Sequence, residues 1–256
     1  MSDSRSTRPR QRPPHPALFL AEGPRAFLER LSLGPAAALL RRAPPGDGHP
    51  VLVLPGFTAG DDSTRVLRRY LRRLGYGAHP WLLGLNFGIR GSLREQLAER
   101  VVDLQRRYGR KLSLIGWSLG GIYARELAKR LPGQVRHVVT LGSPFADTGR
   151  ASNASRLFDW ISPPDSAEKR AALAARLRIP PPVPCTAIFT RTDGVVHWSS
   201  CFEPETDHTE NIEVPGSHCG LGFNPLVLYA VADRLSQTEG AWQPFERSGW
   251  RRHVYG

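Results

Sequence analysis

The sequence predicts an α/β fold: a mostly parallel, six-stranded sheet with helices on both faces and a helical lid insertion. Three observations carry this. From His49 onward, short apolar runs alternate with longer helical patterns, the signature of βαβ units. A Gly-x-Ser-x-Gly pentapeptide sits where one such run gives way to a helix. The 256 residues are enough for one large domain that buries its own core. Right-handed crossovers are then the default, and no internal repeat competes with this reading.

The elements follow in order. Residues 1–16 read as a disordered basic tail carrying Arg5, Arg8, Arg10 and Arg12. The apolar stretch behind them, Ala17 to Ala21, is too short for the core of a signal peptide. Residues 17–48 are a helical segment and linker. Ala26, Phe27, Leu28, Leu31 and Leu33 keep helical spacing, as do Ala36 to Leu40 after Pro35. That segment reads as helices packed on the main domain, or as an amphipathic anchor in weak contact with a membrane surface through residues 17–42. Ala43 to Pro50 has neither helical nor strand character, so the main α/β domain is taken as 49–256.

Val51-Leu52-Val53-Leu54 reads as a buried strand. Asp61 to Thr64 supplies N-cap chemistry for an amphipathic helix over 65–74. Val66, Leu67, Tyr70, Leu71 and Leu74 share one face of it, while Arg65, Arg68, Arg69, Arg72 and Arg73 form a solvated face. A strand is expected at 76–83. A helix at 92–108 follows, with Ser92 and Glu95 as a capping box. Strands are then expected at 111–115, 135–141, 184–190 and 211–214. Helices are expected at 119–131 and 225–236. Residues 144–183 interrupt the alternation and read as a lid insertion, with a short helix at 168–177. Phe158, Trp160 and Ile161 give it an apolar patch.

Composition narrows the function. Lys plus Arg number 35 against 23 acidic residues, a net charge of +12. Only Lys111, Lys129 and Lys169 are lysines, so arginine carries nearly all of it, in a chain rich in Ala, Gly, Pro and Leu. GC-rich codon usage produces that profile, and no nucleic-acid-binding motif accompanies it. Nucleic acid is therefore not an expected partner. No apolar run reaches about 18 residues, so no spanning helix is expected. Cys185, Cys201 and Cys219 are too few for a disulfide framework, and a cytoplasmic location is expected.

The chemistry centres on Gly116-Trp117-Ser118-Leu119-Gly120. The pentapeptide follows one strand and opens a helix, the setting of a nucleophile elbow. A Cβ at 116 or 120 would collide with the neighbouring strand or helix. A serine hydroxyl needs a base to take its proton, and the base needs a carboxylate to orient it. In this topology the chain order is Ser, acid, His. Asp193 lies three residues beyond the fifth strand and His218 four beyond the sixth, both at strand C-termini. The alternatives for the base are His197 and His208. For the acid they are Glu203, Glu205 and Asp207, and, within the lid, Asp147, Asp159 and Asp165. Oxyanion donors are expected from the backbone N–H groups of Leu119 and of Phe57, in the loop after the first strand.

These motifs resemble the α/β-hydrolase superfamily, specifically small bacterial lipases and esterases of its GPI-inositol-deacylase-like branch. The resemblance rests on Pro55-Gly56-Phe57, Gly116 to Gly121, Leu141-Gly142-Ser143-Pro144 and Gly216 to Gly220, and spans residues 49–236. Pro55 stands where many relatives carry His. The resemblance implies a minimal six-stranded sheet, hydrolysis of a small-molecule ester or lipid, no cofactor and no metal. The same residues would serve an acyltransferase, or a binding protein that has kept the fold. If the acid and base loops meet, Cys201 and Cys219 come within reach of a disulfide.

Overall fold

The computed structural model describes residues 13–88, 91–146 and 167–256. Six strands form one parallel sheet: β1 (Pro50–Leu54), β2 (Gly77–Pro80), β3 (Leu112–Trp117), β4 (Val135–Leu141), β5 (Cys185–Phe189) and β6 (Thr209–Glu213). Their order is β2-β1-β3-β4-β5-β6. All five pairings are parallel, and Leu54 lies opposite Gly116 at the end of the β1–β3 pair. The order reverses between β1 and β3, so a crevice opens at their C-terminal ends.

Side-chain alternation along the strands divides the core in two. Leu52, Leu54, Leu112, Leu114, Ala187 and Phe189 face one side, against α5 (Leu93–Tyr108) and α6 (Leu119–Arg130). Val51, Val53, Ile115, Val139, Ile188 and Ile212 face the other, against α4 (Arg65–Arg73) and α8 (Pro225–Leu235). Both faces are covered, which is why the central strands β1, β3, β4 and β5 are buried along nearly their whole length. Ahead of the sheet lie α1 (Pro16–Leu20), α2 (Glu22–Leu31) and α3 (Ala37–Leu40).

Local chemistry departs from expectation in three places. Ser92 precedes α5 but makes no side-chain cap; its Oγ instead accepts from Gln96 Nε2 at 2.7 Å. Asp61 lies in a 3-10 turn, and its carboxylate accepts the amides of Trp81 (3.0 Å) and Leu82 (3.2 Å) rather than capping α4. Arg68 leaves the solvated face: it is buried, donating from Nε to Thr64 Oγ1 at 3.0 Å and from its terminal nitrogen to the Asp61 carbonyl. The second strand is also shorter than its apolar run, because the chain turns at Trp81–Leu82 onto Asp61.

The expected lid falls largely outside the described residues, including Asp147, Asp159, Asp165, Phe158, Trp160 and Ile161. Its later part is α7 (Ala167–Arg178), which packs on α6. Arg125 of α6 anchors the C-terminal end, donating to the carbonyls of Leu177 (3.0 Å) and Ile179 (3.1 Å). The same guanidinium pairs with Glu203 and lies 3.8 Å over the Phe145 ring. No helix among the described residues is long and apolar enough to cross a membrane.

Candidate active site

Ser118 joins β3 to α6 with φ 51° and ψ −118°, a conformation that costs a non-glycine residue on the order of 1–2 kcal/mol. The turn explains its flanking glycines. A Cβ on Gly116 would overlap the Gly120 and Gly121 backbone, and one on Gly120 would overlap the Leu54 carbonyl. The Ser118 amide donates to the Leu141 carbonyl at 2.8 Å, fixing the elbow to the end of β4. Leu119 is the first residue of α6, where the helix ladder supplies no acceptor for the amide.

His218 and Asp193 meet at the other side of the crevice. His218 Nδ1 and Asp193 Oδ2 are 2.7 Å apart, and both residues are buried. Asp193 Oδ1 accepts the amides of Val195 (2.8 Å) and Val196 (2.7 Å), which fixes the carboxylate plane. Burial disfavours a charged imidazole. The Asp193 charge and hydrogen bond, aided by the Glu22 charge, outweigh it and raise the His218 pKa above its ordinary 6.5.

The elbow and this pair are neighbours through β3 and β4. A Cβ on Gly142, the residue after Leu141, would lie 3.1 Å from His218 Nδ1. The Trp117 indole N–H donates to the His218 carbonyl at 3.1 Å. Residues on both sides of the elbow thus abut His218.

The loop after β1 completes the crevice. A Cβ on Gly56 would come 3.4 Å from Ser118 Cβ, so Pro55–Phe57 lies directly against the serine. Buried Asn86 holds that loop. Its Nδ2 donates to the Pro55 carbonyl (2.9 Å), its amide to Ala59 (2.9 Å), and its carbonyl accepts the Thr58 amide (2.7 Å). Asn86 Oδ1 in turn accepts from Tyr123 Oη of α6 (3.2 Å). Beyond it, Trp81, Leu83, Leu85, Phe87 and Leu93 line a pocket of about 400 Å³.

The alternative residues go elsewhere. Glu203 is fully buried in its pair with Arg125. Glu205 and Asp207 are exposed. His208 Nε2 faces the Pro181 carbonyl at 3.3 Å, and His197 Nδ1 faces Ser199 Oγ at 2.8 Å. Cys201 is buried, Cys219 is exposed, and no disulfide joins them.

Sequence reasoning missed Asn86 and the N-terminal polar residues. Glu22, Arg25 and Glu29 of α2 reach the loops that carry Asp193 and His218. Their spacing of three and four put them on one helical face, but the apolar pattern of the segment drew attention to the opposite face.

No protein-family model matches the sequence, and no curated protein matches it significantly. Solved structures do resemble it. One is from a study of two metagenome-derived lipolytic enzymes, with a TM-score of 0.55 at 17% identity, covering 74% of this chain and 94% of that one. Another is Paleococcus ferrophilus monoacylglycerol lipase, with a TM-score of 0.51 at 15% identity, covering 74% and 96%. Aspergillus fumigatus lipase B gives a TM-score of 0.56 at 18% identity, covering 79% of this chain and 58% of that one. At such identities the likeness is one of architecture, and the chain has the α/β-hydrolase fold.

Proposed function

We propose that the protein is a serine hydrolase of carboxylic esters. The observation that carries this is the buried His218–Asp193 pair, set against the strand end from which the Ser118 elbow is built. With Nδ1 committed to Asp193, Nε2 is the ring nitrogen left to act as base. In this mechanism Nε2 takes the Ser118 proton as Oγ attacks the ester carbonyl. The backbone N–H groups of Leu119 and Phe57 receive the tetrahedral oxyanion. Imidazolium then protonates the leaving alcohol, giving an acyl-enzyme, and water activated by His218 releases the acid. Asp193 holds the tautomer and stabilises the imidazolium without accepting its proton.

The apolar side chains of the pocket beyond Asn86, which Ser92 and Gln96 also line, support an acyl or lipid-like substrate, a reading in keeping with the lipase-like motifs at 116–121, 141–144 and 216–220. On those motifs we assign the chain to the lipase and GPI-inositol-deacylase-like branch. We also propose that residues 17–42 contact an anionic membrane surface, and that the protein works in the cytoplasm.

The test is a p-nitrophenyl ester panel, with fluorophosphonate labelling, on the wild type and Ser118→Ala. The wild type is expected to label and to hydrolyse esters, with rates rising with acyl length to a limit. Ser118→Ala is expected to lose labelling and at least about 10⁴-fold in kcat. An unlabelled wild type, or a serine variant that keeps its activity, overturns the reading.

A further inference from the structure

We propose that α2 is a strap that positions the acid and base loops of this site, with Glu22 as its principal positioning residue. This rests on the ester-hydrolase reading for its kinetic consequences, and on α2's own contacts for the rest.

The strap ties two loops that are far from it in sequence. Glu22 Oε1 accepts the amide of Gly194 at 2.8 Å and that of His218 at 3.2 Å, while Oε2 accepts the Cys219 amide at 2.8 Å. One carboxylate therefore bonds the residue after Asp193, His218 itself and the residue after His218. Arg25 donates to the Thr192 carbonyl (2.8 Å), to Thr192 Oγ1 (2.7 Å) and to the Gly216 carbonyl, again joining both loops. Glu29 Oε1 accepts the Ser217 amide (2.8 Å) and hydroxyl (2.6 Å), and Oε2 accepts from Asn224 Nδ2 (2.8 Å). A Cβ on Gly220 would overlap the Glu29 carboxylate, so the base loop is shaped to admit the helix.

A structural tie alone would be satisfied by any acceptor. Glu22 also brings charge, and it is only 4% exposed. His218 becomes cationic as Ser118 attacks, and a carboxylate bonded to the His218 amide stabilises that cation. Among the described residues, the charged groups on this side of the site are Asp193 on the acid loop, Glu22 and Glu29 on α2, and Arg25, which lies 3.9 Å from Glu22. The β3 and β4 side offers the uncharged Trp117 and Gly142. Cys219 is a neutral thiol, pushed up to about 12 by burial and by the Glu22 charge and hydrogen bond.

Removing the Glu22 charge lowers the His218 pKa, so the acid limb of activity moves to lower pH while the plateau falls. Glu22→Gln in the full chain keeps volume and one acceptor oxygen. Its expected kcat loss is about tenfold with KM unchanged, and the acid limb of kcat/KM moves to lower pH. A second readout needs no activity. Cys219 is the exposed cysteine, and its alkylation by iodoacetamide at pH 8 should speed up about tenfold in Glu22→Gln. A folded Glu22→Gln with wild-type limb and wild-type alkylation overturns the proposal. Should Glu22→Gln fail to fold by circular dichroism, Arg25→Gln decides: a several-fold loss of kcat at constant KM supports the strap, and wild-type kcat refutes it. If no ester is hydrolysed, the alkylation arm still tests the strap, while the hydrolase reading falls separately.

Discussion

Asp193 divides its carboxylate between two tasks: Oδ1 takes two backbone amides and Oδ2 takes the His218 ring. Asp193→Asn keeps the volume but presents an amide that cannot serve both, and the imidazole tautomer is no longer enforced. A fall in kcat of about 10³–10⁴ is expected in steady-state assays, with the fold retained. His218 adds a pH signature of opposite sign for stability and activity. Its folded pKa lies above the ordinary value, so its stabilising contribution is complete below about 6.5 and is lost as pH rises through the folded value. Catalysis needs the neutral ring, so activity appears over the same window. The melting-temperature gap between wild type and His218→Gln should narrow as pH rises from 5 to 9. A gap that is constant with pH contradicts the assignment. The sequence picks out Asp193 and His218 because each follows a strand end, and the two hydrogen-bond each other. Glu22 was not legible there, since its partners lie 172 to 197 residues further along the chain and no local pattern announces them.

At the scale of elements, apolar runs marked the central strands β1, β3, β4 and β5, because both their faces are buried, while the edge strands β2 and β6 carry polar residues. Caps were less legible. Ser92 and Asp61 carry the right chemistry for helix starts, yet both spend their oxygens on other partners. Tertiary contacts decide which of several donors a short polar side chain meets, and sequence spacing does not encode that competition. The β1 loop makes the same point. Nothing near Asn86 in the sequence marks it, but it ties the Pro55 carbonyl, in the loop that carries Phe57, to Tyr123 of α6. Asn86→Ala leaves the Pro55 and Tyr123 groups unpaired inside the core. Two effects are expected: a loss of about 1–3 kcal/mol in urea unfolding, and a drop in kcat of about 10–100-fold with little change in KM. Lost stability with unchanged kcat would mean that the loop keeps its place without Asn86.

For the whole molecule, the N-terminal segment inverts the usual rule for a surface helix. Its carboxylates face inward to the loops, and its large apolar side chains face out: Phe19 53%, Leu20 79%, Phe27 61%, Leu28 63% and Leu31 57% exposed. Arg30, Arg41 and Arg42 of the same segment are also exposed, on a chain of net charge +12. On the membrane reading proposed above, these side chains would enter the acyl boundary of an anionic lipid surface and guanidinium groups of the segment would meet its headgroup phosphates. The inward carboxylates make deletion of the segment a poor test, because it would also release the site loops. Substitution on the outer face avoids this. The wild type should sediment with phosphatidylglycerol vesicles, bind phosphatidylcholine vesicles more weakly, and be released by high salt. Phe27→Ser with Leu28→Ser should weaken the binding about tenfold or more, while hydrolysis of a soluble ester stays as in the wild type. If neither vesicle type is bound, the lipid surface is ruled out as the occupant. If the same pair of substitutions instead dissolves a dimer in sedimentation velocity, the face belongs to a second copy of the chain.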